Sequence, residues 1–314
     1  MAQPVRSPEP PTPRLRRSAE AFREDGSPAL RAPDRVALRS SLAAAALATM
    51  LVAPGCIDIV RADFGKYVER EEKHFAVSGK PELSLRTFDG SIEIRPWDKA
   101  DVQVIVEKRG RDKSDIANIE VQAQQNGNRV EVLVKDNPTR GIGIRFGGRS
   151  AKLIVSVPAS ADVSARSGDG SIDLEGLTGH IQLQSGDGSI HATRVDGDVD
   201  VHTGDGSVTL SGKLTGVRAR SGDGSVTIHA DSGSTAGNDW DIATGDGSVT
   251  LAIPDDFGAE LDAHTGDGGI HMQDVTLSNV TGTIGRNSLR GRLGNGGHNV
   301  RVRTGDGSIT LRKF

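Results

Sequence analysis

Seven aspartates have a spacing that could support chemistry: Asp169, Asp187, Asp205, Asp223, Asp246, Asp267 and Asp306. Each is the third residue of a segment of the form Ser/Thr-Gly-Asp-Gly-Ser/Gly-Ile/Val, and the segments start at Ser167, Ser185, Thr203, Ser221, Thr244, Thr265 and Thr304. A looser copy, Thr87-Phe88-Asp89-Gly90-Ser91-Ile92, stands far upstream. If the copies stack at the roughly 4.8 Å spacing of neighbouring strands, the carboxylates form a row of mutually repelling charges. Calcium could bridge such a row, because hard cations take carboxylate oxygens; it is the one cofactor the chain suggests. The nonapeptide repeat of calcium β-rolls has a different spacing, however. The favoured expectation is that each carboxylate accepts hydrogen bonds from N–H groups of its own glycine-rich turn, as in an Asx-turn.

No other residue set competes. The eight histidines are scattered without the spacing of a zinc site, and His191, His229 and His271 are expected on exposed strand faces. Pro138 to Ser150 is a glycine-rich stretch with Arg140, Arg145 and Arg149, which could hold an anion such as a lipid phosphate but reads first as a solvated connection. It lacks the glycine spacing and terminal Gly-Lys-Ser/Thr of a phosphate-binding loop. Asp and Arg follow the repeat register instead of gathering at one place, and the mature part contains only Trp97 and Trp240 as tryptophan stacking platforms. No catalytic residue is assigned.

The elements that must position the aspartates follow from parity. Within each copy, apolar pairs flank the turn: Ile181 and Leu183 before Ile190 and Ala192, Val199 and Val201 before Val208 and Leu210, Val217 and Ala219 before Val226 and Ile228. Leu183 and Ile190 lie an odd number of positions apart, so a straight strand would throw them onto opposite faces. Gly-Asp-Gly must therefore turn a corner. A second corner is marked by Leu177-Thr178-Gly179, Val195-Asp196-Gly197 and Leu214-Thr215-Gly216. Two short strands and two corners per period make one coil of an all-β fold, a single-chain parallel β-helix or β-solenoid. The copies begin 18, 18, 18, 23, 21 and 39 residues apart, the last interval read as two periods with a degenerate copy between. Variable coil length favours a right-handed winding. In that stack Asp200 should lie near Arg218, and Arg218 near Asp241.

Composition suits a thin, repeated core: aromatics are 3% of the 314 residues, against 40 glycines. Residues 1–34 hold seven of the 13 prolines without apolar periodicity and read as a disordered prefix, or as a start placed too early. Residues 35–55 combine Arg35 and Arg39, an apolar run from Leu42 to Val52 and small residues, the parts of an export signal. The run is too short to span a bilayer stably. Cys56, the only cysteine, follows directly, and this arrangement resembles a bacterial lipoprotein signal, which implies lipidation of Cys56 and cleavage before it. Residues 56–74 read as the lipidated cysteine and a charged tether, 75–165 as an irregular β region capping the stack, and 166–314 as the repeat solenoid. The part after the signal is net acidic, which argues against nucleic acid as a partner.

The segments Leu85-x-x-Phe-Asp-Gly-Ser-Ile-x-Ile94, Val155-Ser-Val-Pro158 and Val302-Arg-Thr-Gly-Asp-Gly-Ser-Ile-Thr-Leu311 resemble those of the bacterial adhesin-like family of cell-envelope β-solenoid proteins, from about Phe75 onward. The resemblance implies a non-enzymatic, adhesin-like surface, structural or interaction protein. Together with Cys56 it places the chain outside the cytoplasm, anchored at the outer membrane or cell surface through a lipid, with an envelope protein or a polysaccharide as ligand. The alternatives are a polysaccharide-active β-helix enzyme and a calcium-dependent or envelope-stress signalling component.

Overall fold

Period-two alternation of apolar and polar residues produces strands almost throughout. The computed structural model describes residues 57–62, 66–137, 148–280 and 287–314, with side chains from Tyr67 onward. The expected prefix and export signal, Cys56, and most of the stretch from Pro138 to Ser150 lie outside the described residues.

The first strands are β1 (Ile57–Ala62), β2 (Lys66–Ala76), β3 (Glu82–Thr87), β4 (Ile92–Trp97) and β5 (Asp101–Gly110). The short helix α1 (Lys113–Ala117) follows, with Asp112 at its N-cap accepting from the Asp115 N–H at 2.9 Å. Next come β6 (Ile119–Asn126), β7 (Arg129–Asp136), β8 (Ser150–Pro158), β9 (Asp162–Ser167), β10 (Ile172–Glu175) and β11 (Thr178–Gln184). Two long bent strands, β12 (Ile190–Thr203) and β13 (Val208–Ser221), precede β14 (Val226–Ala230), β15 (Trp240–Thr244), β16 (Val249–Ile253), β17 (Ala259–Thr265) and β18 (Ile270–Gln273). The last are β19 (Leu277–Ser278), β20 (Ser288–Leu293), β21 (Asn299–Thr304) and β22 (Ile309–Lys313).

Pairing arranges these strands in two lines that face each other across one core. Sheet I runs β6-β7-β3-β9-β11-β12-β13-β15-β21-β17-β20-β19. Sheet II runs β1-β2-β5-β8-β4-β10-β12-β13-β14-β16-β22-β18. The bent strands β12 and β13 belong to both, their first halves in sheet II and their second halves in sheet I. From β3 to β17 every neighbouring pair in sheet I is parallel; both ends of sheet I and the β1–β2–β5–β8 end of sheet II carry antiparallel pairs, while the other end of sheet II, β22–β18, is parallel. The parity argument holds: Leu183 and Ile190, on either side of a corner, are both fully buried. Trp240 is also buried, tilted against Phe257 with ring centroids 5.1 Å apart, so it is core and not a sugar platform.

Three expectations need correction. The tether expected over residues 57–73 is instead the hairpin β1–β2, and β2 pairs antiparallel with β5 over its whole length. Its charges do not solvate a linker; they pair across strands, with Lys108 Nζ at 3.3 Å from both Glu69 and Glu71 and His74 bound to Asp101 at 2.9 Å, and along β2 itself, with His74 bound to Glu72 at 2.8 Å. The boundary drawn at 165/166 does not divide the fold either. β3 and β4, with the looser copy at Thr87, form a coil stacked directly on β9 and β10, with Leu85 opposite Ala165 and Ile92 opposite Ile172. The segment from β5 to β8 is an insertion that covers the outer end of that coil.

The third correction concerns the order of the last coils. β21 and β22, carrying Thr304 and Asp306, lie between β15–β16 on one side and β17–β18 on the other. The last copy in sequence is therefore internal to the stack. Among the described residues no degenerate coil fills the 39-residue interval; β20 instead folds back antiparallel on β17, and β19 on β20. Because every corner offers the same chemistry to its neighbours, sequence order does not dictate spatial order here.

The close stacking gives a direct test. A Cβ on Gly206 would lie 2.3 Å from the backbone oxygen of Gly188, whereas one on Gly237 would meet nothing nearer than 3.5 Å. Gly206→Ala is expected to destabilise by about 2–4 kcal/mol and Gly237→Ala by less than about 0.5 kcal/mol in denaturant melts; similar values for the two would contradict the packing. The β2–β5 clamp gives a second test. Hydrogen bonds to Asp101 and then Glu72 raise the His74 pKa above its ordinary 6.5. A raised folded-state pKa means the clamp stabilises fully below the unfolded value and loses its contribution as pH rises through the folded one. The melting-temperature difference between wild type and His74→Gln should therefore be largest in acid and shrink above about pH 6.5; a difference independent of pH would show that the clamp does not titrate.

Candidate functional site at the corners and outer faces

The residue that organises each corner is the leading Ser or Thr, not the Asp. These hydroxyl residues are buried: Ser167, Ser185, Thr203, Ser221, Thr244, Thr265 and Thr304, with Thr87 in the looser copy. In the seven full copies each hydroxyl donates to the backbone oxygen of the second glycine in the neighbouring corner, whereas that of Thr87 donates to the Ala151 backbone oxygen at 3.0 Å. The bonds run Ser167 to Gly90 at 2.9 Å, Ser185 to Gly170 at 2.9 Å, Thr203 to Gly188 at 2.8 Å and Ser221 to Gly206 at 2.8 Å. They continue Thr244 to Gly224, Thr304 to Gly247 and Thr265 to Gly307, each at 2.7 Å. The same oxygen also closes its own turn, accepting from the Gly170 N–H at Ser167 (3.0 Å), the Gly188 N–H at Ser185 (3.1 Å) and the Gly224 N–H at Ser221 (3.0 Å). Residue type at the first position, Ser or Thr without exception, was the available signal; attention to the Asp masked it.

All seven aspartates lie on these corners, in the stack order Asp169, Asp187, Asp205, Asp223, Asp246, Asp306, Asp267. The expected carboxylate-to-turn hydrogen bonds are not made by them: among the described residues none of the seven side chains has a protein donor, because the Ser/Thr oxygen already takes the turn N–H. All seven are exposed, so water screens their repulsion. Asp89, at the looser corner, is more enclosed; burial, and then the charge of Asp169, pushes its carboxyl above the usual range. Among the described residues no group of three or more His, Cys, Asp or Glu side chains converges to hold a metal ion.

The remaining candidates are dispersed. Arg149, the described arginine of the glycine-rich stretch, is paired with Asp136 at 2.8 Å and with Asp115 at 3.6 Å, so it does not wait for an anion. His191 and His271 are exposed as expected, while His229 is half-buried under the ring of Phe314. A recess of about 440 Å³ lies beside Val121, Ala123, Leu133 and Lys73, whose ammonium is paired with Glu71 at 2.5 Å.

The outer faces of the two sheets differ in kind. On sheet I, one outward column reads Asp200, Arg218, Asp241, Arg301, Asp262, Arg290 in register. Arg218 bonds Asp200 at 3.0 Å, as expected, but Asp241 takes Arg220 from the adjacent column, and Asp262 takes both Arg303 (3.0 Å) and Arg290 (3.2 Å). Hydrogen bonds from Arg303 hold the Asp262 carboxyl below its usual range against partial burial. On sheet II the matching column runs Glu93, Asp173, His191, Thr209, Thr227, Thr250, Thr310, His271 in register, with four uncharged threonines in succession.

These roles separate by substitution. Thr203→Val removes a buried donor and strands the Gly188 carbonyl, and is expected to destabilise by about 1–3 kcal/mol, whereas Asp205→Asn should leave the melting temperature unchanged or raise it by easing like-charge repulsion. The reverse ranking would return the corner to the carboxylate.

The Toastrack DUF4097 family matches residues 81–236 and 199–312. No curated protein matches the chain. Among solved structures, a candidate cell adhesion protein from Clostridium sporogenes is similar at 14% identity and a TM-score of 0.37, covering 78% of this chain and 100% of its own. Candidate adhesins from Bacteroides fragilis (13% identity, TM-score 0.39) and Parabacteroides distasonis (12%, 0.33) each cover 77% of this chain and 96% of their own. The two family matches together span most of the chain, and the protein belongs to the Toastrack DUF4097 family.

Proposed function

We propose that the protein is a non-enzymatic, adhesin-like lipoprotein of the cell envelope, anchored by a lipid on Cys56 and exposing the two outer faces of a right-handed parallel β-solenoid to a ligand. One observation carries this reading. Among the described residues the chemistry-bearing side chains recur along the stack, at corners and in ladders, and do not meet at one point. Catalysis requires a few groups held within hydrogen-bond reach of the same reacting atoms. Recognition of an extended surface requires the opposite, modest contacts repeated over area. The buried corner hydroxyls and the paired ions of sheet I are occupied by the fold itself. Cys56 directly precedes β1, so a lipid there would tether the strand at the edge of sheet II.

The anchoring is tested by fractionating cells that express wild type or Cys56→Ala. Wild type should sediment with membranes and the variant should accumulate as an unprocessed, larger form. Equal membrane association and equal processing would overturn the lipoprotein reading. Adhesion of expressing cells to glycan-coated and protein-coated surfaces, scored beside the release of saccharide products, tests the rest: adhesion without product release is expected, and product release would make the protein an enzyme.

A further inference from the structure

We propose that the outward face of sheet II is a docking surface for a neutral glycan, whose extended chain crosses the strands with sugar units over Thr209, Thr227, Thr250 and Thr310 and one ring against Phe314. The inference rests on the surface-binding reading above and names the ligand class and the face.

The four threonines stand in register on consecutive strands β13, β14, β16 and β22. They are half-buried at the side chain, and among the described residues none of their hydroxyls has a protein partner. Each therefore presents one donor and an acceptor to the outside, repeating at the roughly 4.8 Å strand spacing. An extended chain of hexopyranose units advances by a similar distance per unit, so one sugar can address each coil. Two residues before each threonine, at the end of its corner segment, is a serine: Ser207, Ser225, Ser248 and Ser308. The Ser225 oxygen accepts from the Ser248 N–H at 3.3 Å, and the Ser248 oxygen from the Ser308 N–H at 3.2 Å, which leaves their hydroxyl protons to be donated outward.

At the rim of this column lies an exposed aromatic surface. Phe314 is 52% exposed and its ring stacks on His229, with centroids 4.1 Å apart and planes 21° from parallel. His229 is two residues beyond Thr227 on the same side of its strand, and Ala252, in register with it, is fully buried. Lys313 holds Asp255 at 2.9 Å beside the ring. An exposed aromatic face next to a few placed hydroxyls is what a sugar recognises: its C–H face packs on the ring while its hydroxyls find donors and acceptors.

Charge selects the class. The four threonines carry no charge, and their column continues through His191 to the acidic Asp173 and Glu93 on one side and to His271 on the other; of the two cations at its rim, Arg312 and Lys313, the second is already paired with Asp255, so an acidic polysaccharide gains little. Sheet I contrasts with this column, since its outward charges are already paired with one another.

The test uses the full chain carrying Cys56→Ala to keep it in solution, titrated calorimetrically with neutral β-linked hexasaccharides of glucose and xylose and with a hexauronate. A neutral hexasaccharide should bind, and Phe314→Ala and the double variant Thr227→Val/Thr250→Val should each weaken the Kd by about tenfold. Arg218→Ala on sheet I should bind like wild type, and unchanged melting temperatures would show that the sheet II variants are folded. The proposal is overturned if no neutral hexasaccharide binds, if the hexauronate binds more tightly, or if the sheet II variants bind as wild type. Cells that still adhere in such a case would sink the glycan face alone, whereas loss of both adhesion and glycan binding would sink the surface-binding reading with it.

Discussion

The hydrogen bond from a buried Ser or Thr hydroxyl to the next corner's glycine carbonyl is the interaction on which this fold depends. A sharp corner turns backbone polar groups toward the core, where an unpaired carbonyl or N–H costs about 1–3 kcal/mol. Placing one hydroxyl at the start of each corner satisfies two such groups, the turn's own glycine N–H and the neighbour's carbonyl, as at Ser185 between Gly188 and Gly170. The glycines follow from the same requirement: with Gly188 backbone 2.3 Å from where a Gly206 Cβ would stand, only a residue without a side chain lets neighbouring corners approach closely enough to bond. The Asp then points to solvent because nothing in the corner needs it.

Stability built this way is shared between neighbours. A single coil buries a handful of small aliphatics, such as Ile181, Leu183, Ile190 and Ala192, and its strand edges and corner carbonyl are satisfied only by the coils on either side. That nearest-neighbour dependence is the energetics of a repeat array. It also explains both ends of the molecule. Beyond the coil β3–β4, the inserted strands β5 and β8 with the hairpin β1–β2 continue sheet II and the inserted strands β6 and β7 continue sheet I, while β20 and β19 close sheet I beyond β17. Sheet II ends at β18, where Met272 is 44% exposed although its register partner Leu311 is buried.

The functional consequence of a periodic scaffold is dispersal. Outward positions form columns, one of alternating Asp and Arg on sheet I and one with four threonines in succession on sheet II. Columns that neutralise themselves stiffen register and contribute little else, since exposed ion pairs are worth about 0–1 kcal/mol. Columns left without partners are the surfaces available for recognition, and a surface that repeats along an axis suits a ligand that also repeats.

Much of this was legible in the order of residues. The odd interval from Leu183 to Ile190 required a corner, the 18-residue period required stacking, and the pairing of Asp200 with Arg218 followed from equal distances to their turns. Such features are local or strictly periodic, so sequence alone determines them. Tertiary structure decided the rest. Identical corners accept one another in any order, so nothing in the repeat could say that the strands after Thr304 slot between those around Thr244 and Thr265. The charged stretch before His74 became a strand because β5 offered it complementary charges, a partner that lies more than thirty residues away and leaves no mark in local composition. Which oxygen bonds a turn N–H, that of Ser167 or that of Asp169, depends on which side chain the corner buries, and burial is a property of the assembled stack.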